Sequence, residues 1–125
     1  MLHGGSGTAE YFSEAVPYFA DGFQVIVVEL MGHGRTADDV DRSFHYHDMA
    51  EDMVKFMRVL GIESASILGY SDGGVVGLDM AIHHPDLVPT SSHLSTLSRC
   101  SERSPARSCA SFPTQVTACC RARQS

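Results

Sequence analysis

No cysteine occurs among residues 1–89, and no glycine occurs after Gly77. The first absence excludes a disulfide framework for that stretch and agrees with a reducing compartment. The second leaves the last third of the chain without the residue that turns a backbone most freely. Acid is almost missing there as well, since Glu102 alone follows residue 89. No apolar run approaches the roughly 20 residues needed to cross a bilayer, and Met1 leads into a glycine-rich turn rather than a basic-then-apolar secretory leader. The expectation is a soluble, cytoplasmic chain with no membrane partner.

What is present changes abruptly near Pro89. Residues 1–89 hold 14 acidic and 4 basic side chains, whereas residues 90–125 hold Glu102 and five arginines, so a net of ten negative charges gives way to a net of four positive. All four cysteines (Cys100, Cys109, Cys119 and Cys120) and nine of the fifteen serines lie in the second part. Their cysteine spacings match no zinc-ligand pattern and no disulfide framework. Such a shift marks a boundary, with a folded unit over 1–89 and a basic Ser/Arg/Cys-rich tail over 90–125. The simultaneous change in charge, glycine and cysteine suggests a shifted reading frame. Continuation of the earlier helix and strand pattern in another frame of the coding DNA is the check, and its absence defeats the idea. Five arginines beside one aromatic, Phe112, make a poor nucleic-acid surface, so no nucleic-acid partner is expected.

The first part reads as alternating helix and strand. From Thr8, a suitable N-cap, Phe12, Ala15, Val16, Phe19 and Ala20 recur at helical intervals, and Pro17 should kink or split the segment before Gly22 stops it. Gln24 to Leu30 is a dense β-branched run, expected as a strand covered on both faces. After a polar loop, Met49, Met53, Phe56, Met57 and Leu60 form one apolar stripe of a helix spanning about Tyr46 to Leu60, with Gly61 as its stop. That stripe is read as core packing rather than a cofactor box. Ser66 to Gly69 is the next strand, and Asp72 to His83 the next helix, with Val75, Val76, Leu78 and Ile82 available for packing and His84-Pro85 ending it. This order implies a parallel sheet with right-handed crossovers.

Chemistry concentrates at Gly69-Tyr70-Ser71-Asp72-Gly73, a G-x-S-x-G pentapeptide on the turn between strand and helix. A serine hydroxyl is a weak nucleophile and needs a base for its proton and fixed donors for the oxyanion that forms. The helix N-terminus favours that negative charge. Gly69 and Gly73 suit a turn too tight for side chains two residues either side of the serine. His3-Gly4-Gly5-Ser6-Gly7 is a second loop whose backbone N–H groups could approach a substrate oxygen. His45-Tyr46-His47-Asp48 falls short of an H-x-H-x-D metal pattern because its aspartate comes one position early, so a surface patch at a helix start is expected. His33 in GHGRT is expected to shape a loop, and that segment lacks the lysine and spacing of a phosphate-binding loop. His83 and His84 are read as complements to a helix C-terminus.

The ordered set HGGSG, helix, QVIVVEL, GHGRT, helix, SILGYSDGG and a helix ending HHPDLV resembles the α/β-hydrolase superfamily, of the serine esterase, lactonase and C–C hydrolase type, over residues 2–88. The resemblance implies an α/β fold, here a partial doubly wound parallel sheet followed by an irregular C-terminal tail. It implies a hydrolase acting on a small-molecule ester, lactone or related carbonyl through an acyl-serine, with no metal and no organic cofactor. Ser71 would be the nucleophile, and the backbone N–H groups of Asp72 and of Gly5, or its neighbour Ser6, would be the oxyanion donors. It also implies an acid and a histidine on loops after later strands, and no such strands follow here. His83 lies twelve residues along the same helix, roughly 18 Å from Ser71 at the helical rise, and His84 fails likewise. His93 is left as the candidate base. The alternative is an inactive remnant or interaction fragment lacking the triad acid and histidine. The resemblance further places a central strand before HGG, of which Met1 and Leu2 remain. A slot about 9.6 Å wide, twice the ordinary strand spacing, is therefore expected between 24–30 and 66–69 unless Val116 to Cys119 fills it. Neither substrate identity nor oligomeric state is written in these residues.

Overall fold

A computed structural model describes residues 1–89 of the 125-residue chain. The expected basic tail, with His93, the four cysteines and Val116 to Cys119, lies outside the described residues.

Pro17 splits the first helix as its ring requires. A 3-10 turn, Ala9–Phe12, is followed by α1, Val16–Ala20, with Pro17 in the first turn, where a missing N–H costs no helical bond. Thr8 occupies the N-cap position of the 3-10 turn, but its hydroxyl makes no capping bond. Next comes α2, Tyr46–Val59, closed by Gly61 at φ 68°, a left-handed conformation that glycine adopts without strain. The last helix, α3, spans Asp72–His83 and ends at His84 before Pro85.

The sheet differs from expectation. Among the described residues neither 24–30 nor 66–69 forms a strand, and pairing is confined to two isolated parallel bridges, Leu2 with Val28 and Leu2 with Gly69. Leu2 N–H donates to Leu68 O at 2.8 Å, Tyr70 N–H to Leu2 O at 3.0 Å and Val28 N–H to Met1 O at 3.1 Å. The order across the bridges is thus 24–28, then 1–2, then 68–70, with all directions parallel. A ladder needs successive paired residues, and one residue in the middle position cannot hold two flanking runs in register. The expected slot is closed where Leu2 sits. Beyond it lies an apolar cavity of about 130 Å³ that Met1, Val25, Ile26, Met53, Ile67 and Leu68 help to line. Nearby Ser66 Oγ is buried without a hydrogen-bond partner among the described residues.

Most of the core lies between the bridges and the α2–α3 pair. Leu2, Leu30, Met49, Ala50, Val54, Met57, Ile67, Val76, Met80 and Val88 form one buried cluster. The methionines of α2 are core, as expected, but Leu60 is 51% exposed and Val54 takes its place on the buried stripe. The register of α3 departs from expectation in part, since Val76 is buried as expected and the other three residues are not. Its buried face is Gly73, Val76, Gly77 and Met80, while Val75, Leu78 and Ile82 are exposed. Glycines face Leu2 and Ile67 because a Cβ at Gly77 would meet the Ile67 side chain at 2.7 Å, so the helix packs by its small residues rather than its large ones.

Candidate active site

Ser71 stands at the N-cap of α3 with φ 50° and ψ −117°, a conformation strongly disfavoured for a residue with a Cβ. The neighbours explain how it is held. A Cβ on Gly69 would lie 2.5 Å from the Gly73 carbonyl carbon, and one on Gly73 would lie 2.6 Å from His3 O. Side chains at either position are therefore incompatible with the bend. The pentapeptide's glycines thus have the role their spacing suggested. Ser71 itself is exposed, and no hydrogen bond among the described residues reaches its hydroxyl.

The glycine-rich loop lies directly against this bend. A Cβ on Gly4 would approach Ser71 Cβ to 2.9 Å, so the loop backbone runs in contact with the serine. Gly5 N–H, one of the expected donors, donates to Asp72 Oδ2 at 2.7 Å. Tyr46 OH donates to the other oxygen, Asp72 Oδ1, also at 2.7 Å, and this bond to a carboxylate raises the tyrosine pKa. The Asp72 carboxylate is thereby clamped between the loop and the start of α2. The Asp72 backbone N–H, the second expected donor, has no partner among the described residues. Ser6, the alternative donor, sits at φ 61°, again an uncommon left-handed conformation, and its N–H is likewise unpaired there.

His3 anchors the loop from below. It is completely buried, and its Nε2 accepts from Leu30 N–H at 3.1 Å. Nε2 must then be the bare nitrogen, so Nδ1 carries the proton and donates to Gly4 O at 2.7 Å. A neutral imidazole in this tautomer satisfies both bonds, and it pins the glycine loop to the end of the 24–30 run. The His33 ring lies beside it, tilted by 53° with centroids 5.0 Å apart, and its Nδ1–H donates to Met31 O, in keeping with a loop-shaping part. Tyr70, the residue before Ser71, stacks on Tyr11 with ring centroids 4.6 Å apart.

Glu29 organises the remaining loops. Its carboxylate accepts from the N–H groups of Ala9 and Arg35 and from Arg35 Nε, while its carbonyl accepts from Thr36 Oγ1. The Arg35 backbone bond, then the guanidinium and the Ala9 bond, hold its pKa down at about 2. The histidines after Ser71 are engaged elsewhere. His84 Nε2 pairs with Glu51 Oε1 at 2.5 Å, and His83 Nδ1 lies 3.2 Å from Asp79 Oδ1. His93 lies outside the described residues. The structure thus brings together Ser71, Asp72 and Gly5, and it adds Tyr46 and His3, whose parts no local spacing discloses.

Residues 1–115 match the family model described as alpha/beta hydrolase fold, so the match runs past the compositional boundary at Pro89. A putative carbamate hydrolase RutD of Caulobacter sp. (strain K31) is 35% identical over 83 residues, covering 66% of this chain and 30% of that protein. A fluoroacetate dehalogenase of Burkholderia sp is 32% identical over 92 residues, covering 70% of this chain and 30% of the relative. Among solved structures, the N-acyl homoserine lactonase AidH superposes with a TM-score of 0.64 at 33% identity, over 70% of this chain and 33% of the other. The chain spans about a third or less of the length of the relatives it matches.

Proposed function

The chain belongs to the α/β-hydrolase family, and from that premise we propose that Ser71 is the nucleophile of a site for acyl transfer from a small ester, lactone or related carbonyl. The observation that carries the reading is the forced backbone of Ser71 at the N-terminus of α3, in contact with the His3–Gly7 loop. Attack of the Ser71 oxygen on a carbonyl carbon forms one C–O bond and moves the π pair onto the carbonyl oxygen, while the hydroxyl proton passes to solvent water. The Asp72 N–H and the positive end of the α3 dipole face that charge. Gly5 N–H joins them once the Asp72 carboxylate releases it. Collapse of the adduct expels the leaving oxygen, which takes a proton from solvent water, and leaves an acyl-serine for a second water to cleave. The relatives' names span carbamate hydrolase, fluoroacetate dehalogenase and lactonase, so the fold alone does not select the bond that is broken.

The second reading, a nucleophile that acylates without efficient turnover, is favoured by one observation. No imidazole among the described residues bonds to Ser71 Oγ, so nothing there takes its proton. Oxyanion donors alone sustain residual reactivity when a triad is incomplete. Labelling with a fluorophosphonate probe is the test. The expected result is stoichiometric labelling of the wild type, lost in Ser71→Ala. Failure to label a chain that keeps its helical circular dichroism contradicts the assignment.

A further inference from the structure

His47 is the second residue of α2, and Asp79 and His83 are four residues apart on α3, where an i, i+4 pair shares one face. The aspartate that comes too early in His45-Tyr46-His47-Asp48 is replaced in space by one from another helix. Packing of α2 on α3 sets His47 Nδ1 2.9 Å from Asp79 Oδ1, and His83 Nδ1 3.2 Å from the same oxygen. The two imidazole rings lie 4.9 Å apart. One donor atom from each of the three residues falls within 4.8 Å of the others.

We propose that His47, Asp79 and His83 form a binding site for a divalent transition-metal ion, with zinc the best match, that clasps α2 to α3. Zn–N and Zn–O bonds of about 2.0–2.2 Å place neighbouring tetrahedral ligand atoms about 3.3 Å apart. The two histidine–aspartate separations are already close to that spacing. Only the gap between the two imidazoles must narrow, and both rings are half exposed, at 56% and 49%, so they are reachable by the ion and free to turn. Two imidazoles and one carboxylate form a mixed N/O set that suits zinc, cobalt or nickel rather than calcium or magnesium. Asp48 and Glu51 add negative charge around His47, which favours a cation there. Three protein ligands leave at least one coordination position for water.

The experiment is a zinc titration by isothermal calorimetry on the full chain, with its cysteines alkylated so that thiolates cannot compete for the metal. The expected result is one saturable site per chain, weakened at least about tenfold in both His47→Ala and His83→Ala and unchanged in His84→Asn, which removes the neighbouring histidine–carboxylate pair. Asp79→Asn, which retains hydrogen bonding to both imidazoles and so preserves the helix contact, should weaken binding as well. Cobalt in place of zinc should give visible absorption bands that this variant lacks. No saturable binding at millimolar zinc overturns the proposal. So does binding that His47→Ala, His83→Ala and Asp79→Asn all leave unchanged while circular dichroism shows the helices intact.

Discussion

At the scale of single residues, two conformations and one clamp define the site. Ser71 and Ser6 both hold positive φ without being glycine, at a cost of about 1–3 kcal/mol each, which the surrounding loop contacts must offset. The clamp is Asp72, whose carboxylate takes the Gly5 N–H, the donor proposed for the substrate oxyanion. Removing it frees a donor and takes away a repelling charge. Asp72→Ala is therefore expected to raise the fluorophosphonate labelling rate several-fold, while losing about 0.3–1 kcal/mol of helix stability through the vanished N-terminal charge. A slower rate in the variant, measured by intact mass against time, contradicts the blocking part assigned to the carboxylate. How far this site was legible depends on sequence separation. Ser71, Gly69 and Gly73 declare themselves through local spacing, because their constraint is one tight turn. The Tyr46–Asp72 bond joins residues 26 apart and the Gly5–Asp72 bond residues 67 apart, and nothing in either neighbourhood signals the other. His3 was readable as part of a glycine loop. Its locked tautomer was not, since that depends on Leu30.

At the scale of elements, helix periodicity located α2 and α3 to within a residue or two but misjudged which side of α3 faces inward. Size suggested Val75, Val76, Leu78 and Ile82; of these only Val76 is buried, and close approach places Gly73, Gly77 and Met80 beside it. A large side chain is a poor guide where the neighbouring backbone leaves room only for glycine. The register predicts a contrast in urea denaturation. Met80→Ala should cost about 2–5 kcal/mol, as a large-to-small change at a fully buried position. Ile82→Ser should stay within about 0.5 kcal/mol, as an exposed substitution. Comparable losses at both positions contradict the register. The loops that frame the site rest on Glu29, whose native pKa is about 2 against an ordinary 4.5. A depressed carboxylate contributes stability above its unfolded pKa, and that contribution fades as pH falls from about 4.5 towards 2. Glu29→Gln should flatten the fall in melting temperature across that window. An unchanged acid limb in the variant contradicts the role given to Glu29. Farther along, His47 is raised above 6.5 by Asp79, so its contribution is present below 6.5 and is lost as pH rises through its native pKa.

At the scale of the whole molecule, the doubly wound sheet read from the sequence survives as two bridges around Leu2. The order of its lines was legible, because HGG, QVIVVEL and SILGYSDGG each carry their own pattern. Their failure to lengthen into strands was foreshadowed only as a slot. Pairing is cooperative along a ladder, and Leu2 has one residue's worth of it to offer each side. A cavity of about 130 Å³ lies beside Met1, and Ser66, which helps to line it, has an Oγ without a hydrogen-bond partner among the described residues. The helices compensate, since α2, α3, Leu30 and Val88 close one core around Leu2 and Ile67. Among the described residues no helix is long and apolar enough to cross a membrane. Family membership, a shaped bend and a glycine loop are thus joined in a chain about a third as long as its relatives. The measurement that tests this most directly is peptide-mapping mass spectrometry of the full chain after incubation with p-nitrophenyl acetate. The account predicts a single acetyl group on the peptide carrying Ser71, absent from Ser71→Ala. An acetyl group elsewhere, or an unmodified Ser71 in a chain with intact helical signal, would contradict it.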